Sequence, residues 1–161
     1  KIDALKKATI PLLGIQCRQN AGSKITIVVF SERARVLING IADAEGHGQL
    51  VTAVNSIATE GGTDIVEALE LGGNSFDPDH FGTKQLTLLS DGGHTYGSDP
   101  LATADAIRQR GVRIATIGFG NDADENTLRS IASQNQGVPA YWHARDQQTL
   151  SRSLVNATRT L

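Results

Sequence analysis

The strongest constraint on how this chain folds is an alternation. Short runs rich in β-branched and apolar residues, "KITIVVF" at 24–30, "KQLTLL" at 84–89 and "VRIATIGFG" at 112–120, are separated by segments whose apolar residues recur every three or four positions. A run that is apolar on both of its faces must be covered above and below. Amphipathic helices lying between such runs supply that cover. The pattern therefore predicts an open, doubly wound α/β fold: a mostly parallel sheet with helices on both faces.

Residues 1–19 carry Ile2, Leu5, Ala8, Leu12 and Ile15 at helical spacing, with Pro11 expected to kink or break the helix. "RVLIN" at 35–39 follows the 24–30 run through a turn so short that the two must pair antiparallel, which gives the sheet one antiparallel edge strand. Helices are expected over 49–57, over 63–71, and from Asp99-Pro100 to near Gly111, where a capping carboxylate precedes proline at the first helical position. Another helix follows Asp122, which is spaced from Glu125 as in a capping box. "VPAYWHA" gives a last strand at an edge, because Pro139 cannot donate to a ladder, and Leu150, Leu154, Ala157 and Leu161 mark a closing helix.

Composition then removes whole classes of function. The net charge is −2 and the basic residues are scattered, so no electrostatic footprint for nucleic acid or an anionic membrane exists. No apolar run approaches the roughly 20 residues of a membrane-spanning helix. Cys17 is the one cysteine, which rules out an internal disulfide and a thiolate zinc site. The chain has no methionine and starts at Lys1, so a preceding segment in a larger protein is expected.

In sheets of this kind ligands sit beyond the carboxyl ends of the strands. Leu86, Leu88 and Leu89 drive a buried strand to that rim, where Ser90 and Asp91 emerge, followed by Gly92-Gly93. The glycines permit close approach and positive φ, and a carboxylate there can hold a hard cation. Thr63 follows Gly61-Gly62 at the start of a helix, so its hydroxyl can project from a tight loop, although Thr63 or Asp64 could equally serve as the helix cap. His94 follows the double glycine as a loop residue, and His47, His80 and His143 show no ligand spacing.

"FSERARVL", "GGTDIVEAL", "LTLLSDGG", "GVRIATIGFG" and "DENTLRSIAS" occur in this order and at the intervals seen in von Willebrand factor A domains. The chain resembles that family, and its bacterial branch most of all, over essentially its whole length. The resemblance implies a metal-ion-dependent adhesion site. A threonine before a helix matches Thr63, and the aspartate of a T-D-G motif matches Asp91, with Ser90 in place of the threonine. It further implies Mg2+, with Mn2+ or Ca2+ as alternatives, and a protein partner that adds an acidic side chain to the ion. Magnesium favours near-octahedral oxygen ligands, few of them carboxylates.

The family's D-x-S-x-S motif, carried on a first strand at the centre of the sheet, does not occur in this sequence. Residues 1–161 are accordingly expected to be a single domain that is incomplete at its N-terminus, with weak or absent metal binding by these residues alone. Two other readings stay open: a structural domain whose metal site does not function, and a nucleotide-binding or enzymatic α/β domain. Against the last, "GFGNDAD" lacks the third glycine of a dinucleotide fingerprint, no phosphate-binding G-x-x-x-x-G-K-[ST] occurs, and Ser90 has no G-x-S-x-G context. No catalytic residue is assigned.

Overall fold

The structure is a computed structural model and describes residues 1–58 and 61–159. Thr59, Glu60 and Leu161, which the sequence places in the Gly-rich loop and the closing helix, lie outside the described residues. Helices α1 (Ile2–Gln19), α2 (Ala44–Ser56), α3 (Ile65–Asn74), α4 (Pro100–Gln109), α5 (Glu125–Ile131) and α6 (Gln147–Arg159) alternate with strands. The strands are β1 (Lys24–Phe30), β2 (Ala34–Ile41), β3 (Lys84–Ser90), β4 (Val112–Phe119), β5 (Gln134–Asn135), β6 (Val138–Pro139) and β7 (Tyr141–Ala144). The expected α/β architecture is present: β3, β4 and β7 form a parallel sheet in that order, with helices around it.

Side-chain alternation along β4 divides the core. Ile114 faces a cluster with Ile65, Leu69, Leu86, Leu88, Ile107, Leu128 and Tyr141, drawn from α3, α4 and α5 and from the neighbouring strands β3 and β7. Ala115, Ile117 and Phe119 face the opposite cluster with Ala8, Leu12, Leu150 and Leu154, from α1 and α6. Covering both faces explains why the β4 sequence is apolar almost throughout. Tyr141 and Trp142 fall on opposite faces of β7, as adjacent strand residues must.

The hairpin β1–β2 stands apart as its own two-stranded sheet, antiparallel as expected, with a register shift between Ile27 and Val28. Among the described residues β1 pairs only with β2, and β3 only with β4, so each keeps one backbone edge unpaired. Helices rather than ladder bonds join the two sheets. On one face α1 places Ala8 and Leu12 in the β4 cluster, while its Leu13, Ile10 and Cys17 pack with Ile25, Ile27 and Ile38 of the hairpin. On the other face Phe30 at the end of β1 packs against the cluster that holds Leu69 of α3 and Leu86 of β3.

Several boundaries differ from expectation for local physical reasons. α1 runs through Pro11 without a break. Pro11 is exposed, and so is Lys7, whose carbonyl loses its helical donor and can turn to water instead. α2 starts at Ala44 rather than 49, because the Asp43 carboxylate accepts the Gly46 N–H at 2.7 Å. A Cβ at Gly46 would stand 1.9 Å from the Ile41 carbonyl oxygen, so the turn demands a residue of poor helix propensity, which hides the helix start from a pattern reading. α5 is capped by Asp124, which accepts the Thr127 N–H at 3.1 Å, and not by Asp122 as the capping-box spacing suggested. The expected final strand divides. Pro139 belongs to the small β5–β6 hairpin turned by Gln136 and Gly137, both at positive φ, and β7 alone joins the sheet.

Candidate functional site

The loops after β3 and β4, the entry to α3 and the start of α1 meet at the carboxyl rim of the parallel sheet. The register that sets Ser90 opposite Gly118 brings the residues following each strand out together: Asp91 from β3, and Gly120 to Asp124 from β4. The loop after β3 is then laced to the loop before α3. Thr95 donates its N–H to the Thr63 carbonyl at 2.9 Å, and Thr63 donates its own N–H to Thr95 Oγ1 at 3.0 Å.

α3 begins at Ile65, and its cap is Asp64, whose carboxylate accepts the Glu67 N–H at 3.0 Å. That decides between the two residues which could have capped it. Thr63 is left outside the helix, and its hydroxyl carries no hydrogen bond among the described residues. Thr63 Oγ1 lies 3.6 Å from where a Cβ on Gly92 would stand, so the residue next to Asp91 presents bare backbone to this hydroxyl. The structure thus brings Thr63 and the Asp91 segment to one rim.

The glycines divide their work differently from expectation. Gly92 and Gly93 do not adopt positive φ; Gly62, Gly97 and Gly120 do. At Gly62 (φ 82°) a Cβ would meet Glu32 Cγ at 2.4 Å. Gly92 and Gly93 supply closeness instead, the latter lying 3.8 Å (at its Cβ position) from Asp124 Cβ. Ser90 is buried, and its hydroxyl donates to the Gly92 carbonyl at 3.0 Å, so it shapes the turn.

His94 is half-buried in its loop and engaged at both ring nitrogens. Its Nδ1 accepts the Ile65 N–H at 3.2 Å, which fixes the neutral Nε2–H tautomer, and Nε2 reaches the Ser98 carbonyl at 2.9 Å. With both ring nitrogens engaged, His94 is a structural brace for the start of α3. Tyr96 donates to Glu32 Oε1 at 3.1 Å, and that hydrogen bond raises its phenol above the ordinary range. Asp77, Asp79 and His80 form a turn, with Asp77 accepting the Asp79 N–H at 2.9 Å.

Two rim residues escaped the sequence reading. Asp122, displaced as cap by Asp124, extends its carboxylate to Lys1 Nζ at 3.2 Å, and Lys1 Nζ also lies 3.5 Å from Asp91 Oδ2. The hydrogen bond to Asp122 holds the Lys1 ammonium above its ordinary 10.5; lost hydration works against it, and the Asp91 charge adds to the rise. The lysine stem crosses Gly120, whose Cβ position is 3.5 Å from Lys1 Cε. A signal existed: a helix packed back along a parallel strand starts at the strand's carboxyl end, which places its first residue at the rim. Asp124 differs from its neighbours, because hydrogen bonds from the Thr127 hydroxyl and then the Thr127 N–H pull its carboxyl below the usual value.

An exposed carboxylate and an unbonded hydroxyl are hard oxygen donors of the kind small divalent cations take. Among the described residues no three His, Cys, Asp or Glu side chains converge as a ligand cluster.

The family model described as von Willebrand factor type A domain matches residues 3–156. The chain belongs to that family. The VWA domain is similar to an uncharacterized protein, sll0103, of Synechocystis, 26% identical over 132 residues that make up 80% of this chain and 31% of that relative. It therefore spans about a third of the length of that curated relative. Among solved structures it is similar to a von Willebrand factor type A protein from Catenulispora acidiphila, with TM-score 0.79 and 25% identity, over 98% of this chain and 38% of the other. It also shares its fold with proximal thread matrix protein 1 from the mussel byssus, solved with a zinc-occupied MIDAS motif, at TM-score 0.76 and 20% identity over 97% of this chain and 41% of that one. VWA domains are generally interaction modules.

Proposed function

We propose that this VWA domain binds a protein partner through a divalent cation held at the carboxyl rim by Thr63 and Asp91. Mg2+ is the first candidate, with Mn2+ and Ca2+ as alternatives, and an acidic side chain of the partner completes the shell. The observation that carries this reading is the Thr63 hydroxyl, excluded from capping α3 by Asp64, unbonded among the described residues, and set against the bare backbone beside the Asp91 carboxylate. The zinc-occupied MIDAS motif of the mussel byssus protein supports cation binding at a fold of this type. Few charged ligands leave the ion short of neutralisation, which favours an added carboxylate. The output proposed is binding, without catalysis.

The module is proposed to be larger than residues 1–161. The unpaired edges of β1 and β3 are where a further strand would restore ladder bonds to both, and the family's first strand, with its D-x-S-x-S oxygens, would add the ligands that Thr63 and Asp91 lack. A second reading, a structural domain whose metal site does not function, draws on the Lys1 ammonium already seated against Asp91.

The test is a Mn2+ titration followed by electron paramagnetic resonance on the 161-residue chain and its Asp91→Ala variant. Weak binding, on the order of millimolar as for the loosest oxygen-ligand sites, is expected for the parent chain, with none in the variant and an unchanged circular dichroism spectrum. Equal binding by both chains would refute the assignment of Asp91.

A further inference from the structure

The Lys1 side chain is placed as a cation would be. Its ammonium stands between carboxylates from two loops, 3.2 Å from Asp122 and 3.5 Å from Asp91, and its stem is laid over the side-chain-free surface of Gly120. Asp91 and Asp122 emerge from adjacent parallel strands. Two like charges on neighbouring loops repel unless something positive lies between them, and Lys1 fills that place. Asp124, the next carboxylate along, is occupied as the α5 cap by Thr127 and takes no part.

We propose that Lys1 is an internal counter-ion that competes with a divalent cation for Asp91, so that the lysine must swing away before the ion can engage that carboxylate. This rests on the reading of Asp91 as a cation ligand. Side-chain exposure of 46% for Lys1 and 54% for Asp91 keeps the contact open to water, so the lysine can leave without disturbing the core. Exposed pairs of this kind are weak and screened by salt. The competition is therefore modest and fades as ionic strength rises. Lys1 tunes the affinity of the rim without closing it.

The experiment titrates Mn2+ into the parent chain, Lys1→Met, Asp91→Ala and the double variant at low and at high salt. Methionine keeps the length and apolar stem of lysine and removes the charge. Lys1→Met is expected to bind about threefold more tightly at low salt, the scale of one or two exposed ion pairs, with a smaller gain at high salt and no binding in either Asp91→Ala chain. A parallel titration with Mg2+, read from the side-chain 15Nζ signal, should move Lys1 and leave Lys6 and Lys7 in place. Equal affinity of the parent and Lys1→Met chains, both dependent on Asp91, would overturn the role of Lys1 and leave the cation site standing. A Lys1 signal that stays still while Mg2+ binds would do the same. Absence of binding in every chain, or binding that survives Asp91→Ala, would overturn both.

Discussion

Gly61 and Gly62 look interchangeable in the sequence, and the structure makes them opposites. Gly62 sits at φ 82°, and a Cβ there would meet Glu32 Cγ at 2.4 Å and Tyr96 Cε2 at 3.0 Å. Gly61 has open space around its Cβ position and no positive φ. Forcing an L-residue into the left-handed region costs about 1–2 kcal/mol. Glu32 is exposed and can swing aside, so the steric part adds little once it moves. Gly62→Ala should therefore lower stability by about 1–2 kcal/mol, which for a domain of this size lowers Tm by about 2–8 °C. Gly61→Ala should be neutral or stabilising by up to about 1 kcal/mol, through the reduced freedom of the unfolded chain. Urea denaturation of both variants, with the m-value as a check that the unfolded state is comparable, measures the difference. Placing Gly62→Ala in a Glu32→Ala background removes the closest contact, leaving the φ cost and the looser approach to Tyr96. If the two alanine variants prove equally stable, the loop that presents Thr63 is not held as described.

Two further outcomes concern the supports of the rim. Thr116 is fully buried, and its hydroxyl donates to the Leu128 carbonyl at 2.8 Å, tying β4 to the last turn of α5. Thr116→Val leaves that carbonyl a hydrogen bond short and should cost about 1–2 kcal/mol in urea denaturation; unchanged stability would show that the bond contributes nothing. Asp124 titrates below its ordinary value of 3.8 because Thr127 hydrogen-bonds its charged form. Its contribution to stability is thus complete above that value and is lost as pH falls through the lower folded one. Asp124→Asn should be less stable than the parent chain at neutral pH, and the gap should narrow in acid; a gap independent of pH would refute the sign.

Much of the fold was legible because its signals are local and repetitive. Both faces of β4 are buried, so its apolar run announces a central strand, and Asp99-Pro100 caps α4 as written, with Asp99 Oδ1 accepting the Leu101 N–H at 2.9 Å. Two helix starts were misplaced because local contacts override spacing. Asp124 took the place expected for Asp122, and Asp43 began α2 early behind a glycine that tertiary packing requires. At the rim the positions of Thr63 and Asp91 were readable because each lies just outside the end of an element, two residues before α3 and one after β3. Lys1 and Asp122 were not, because their meeting joins residues 121 positions apart and depends on how α1 lies across the sheet.

α1 has a mechanical consequence. Its 18 residues extend about 27 Å, and its two flanks are bedded in different cores: Ala8 and Leu12 with β4, Leu13 and Cys17 with the hairpin. A rigid rod resting on two supports converts a change in their separation into a tilt. Lys1 is at the tip of that rod, so the place of its positive charge at the rim is set by how α1 beds on both cores at once.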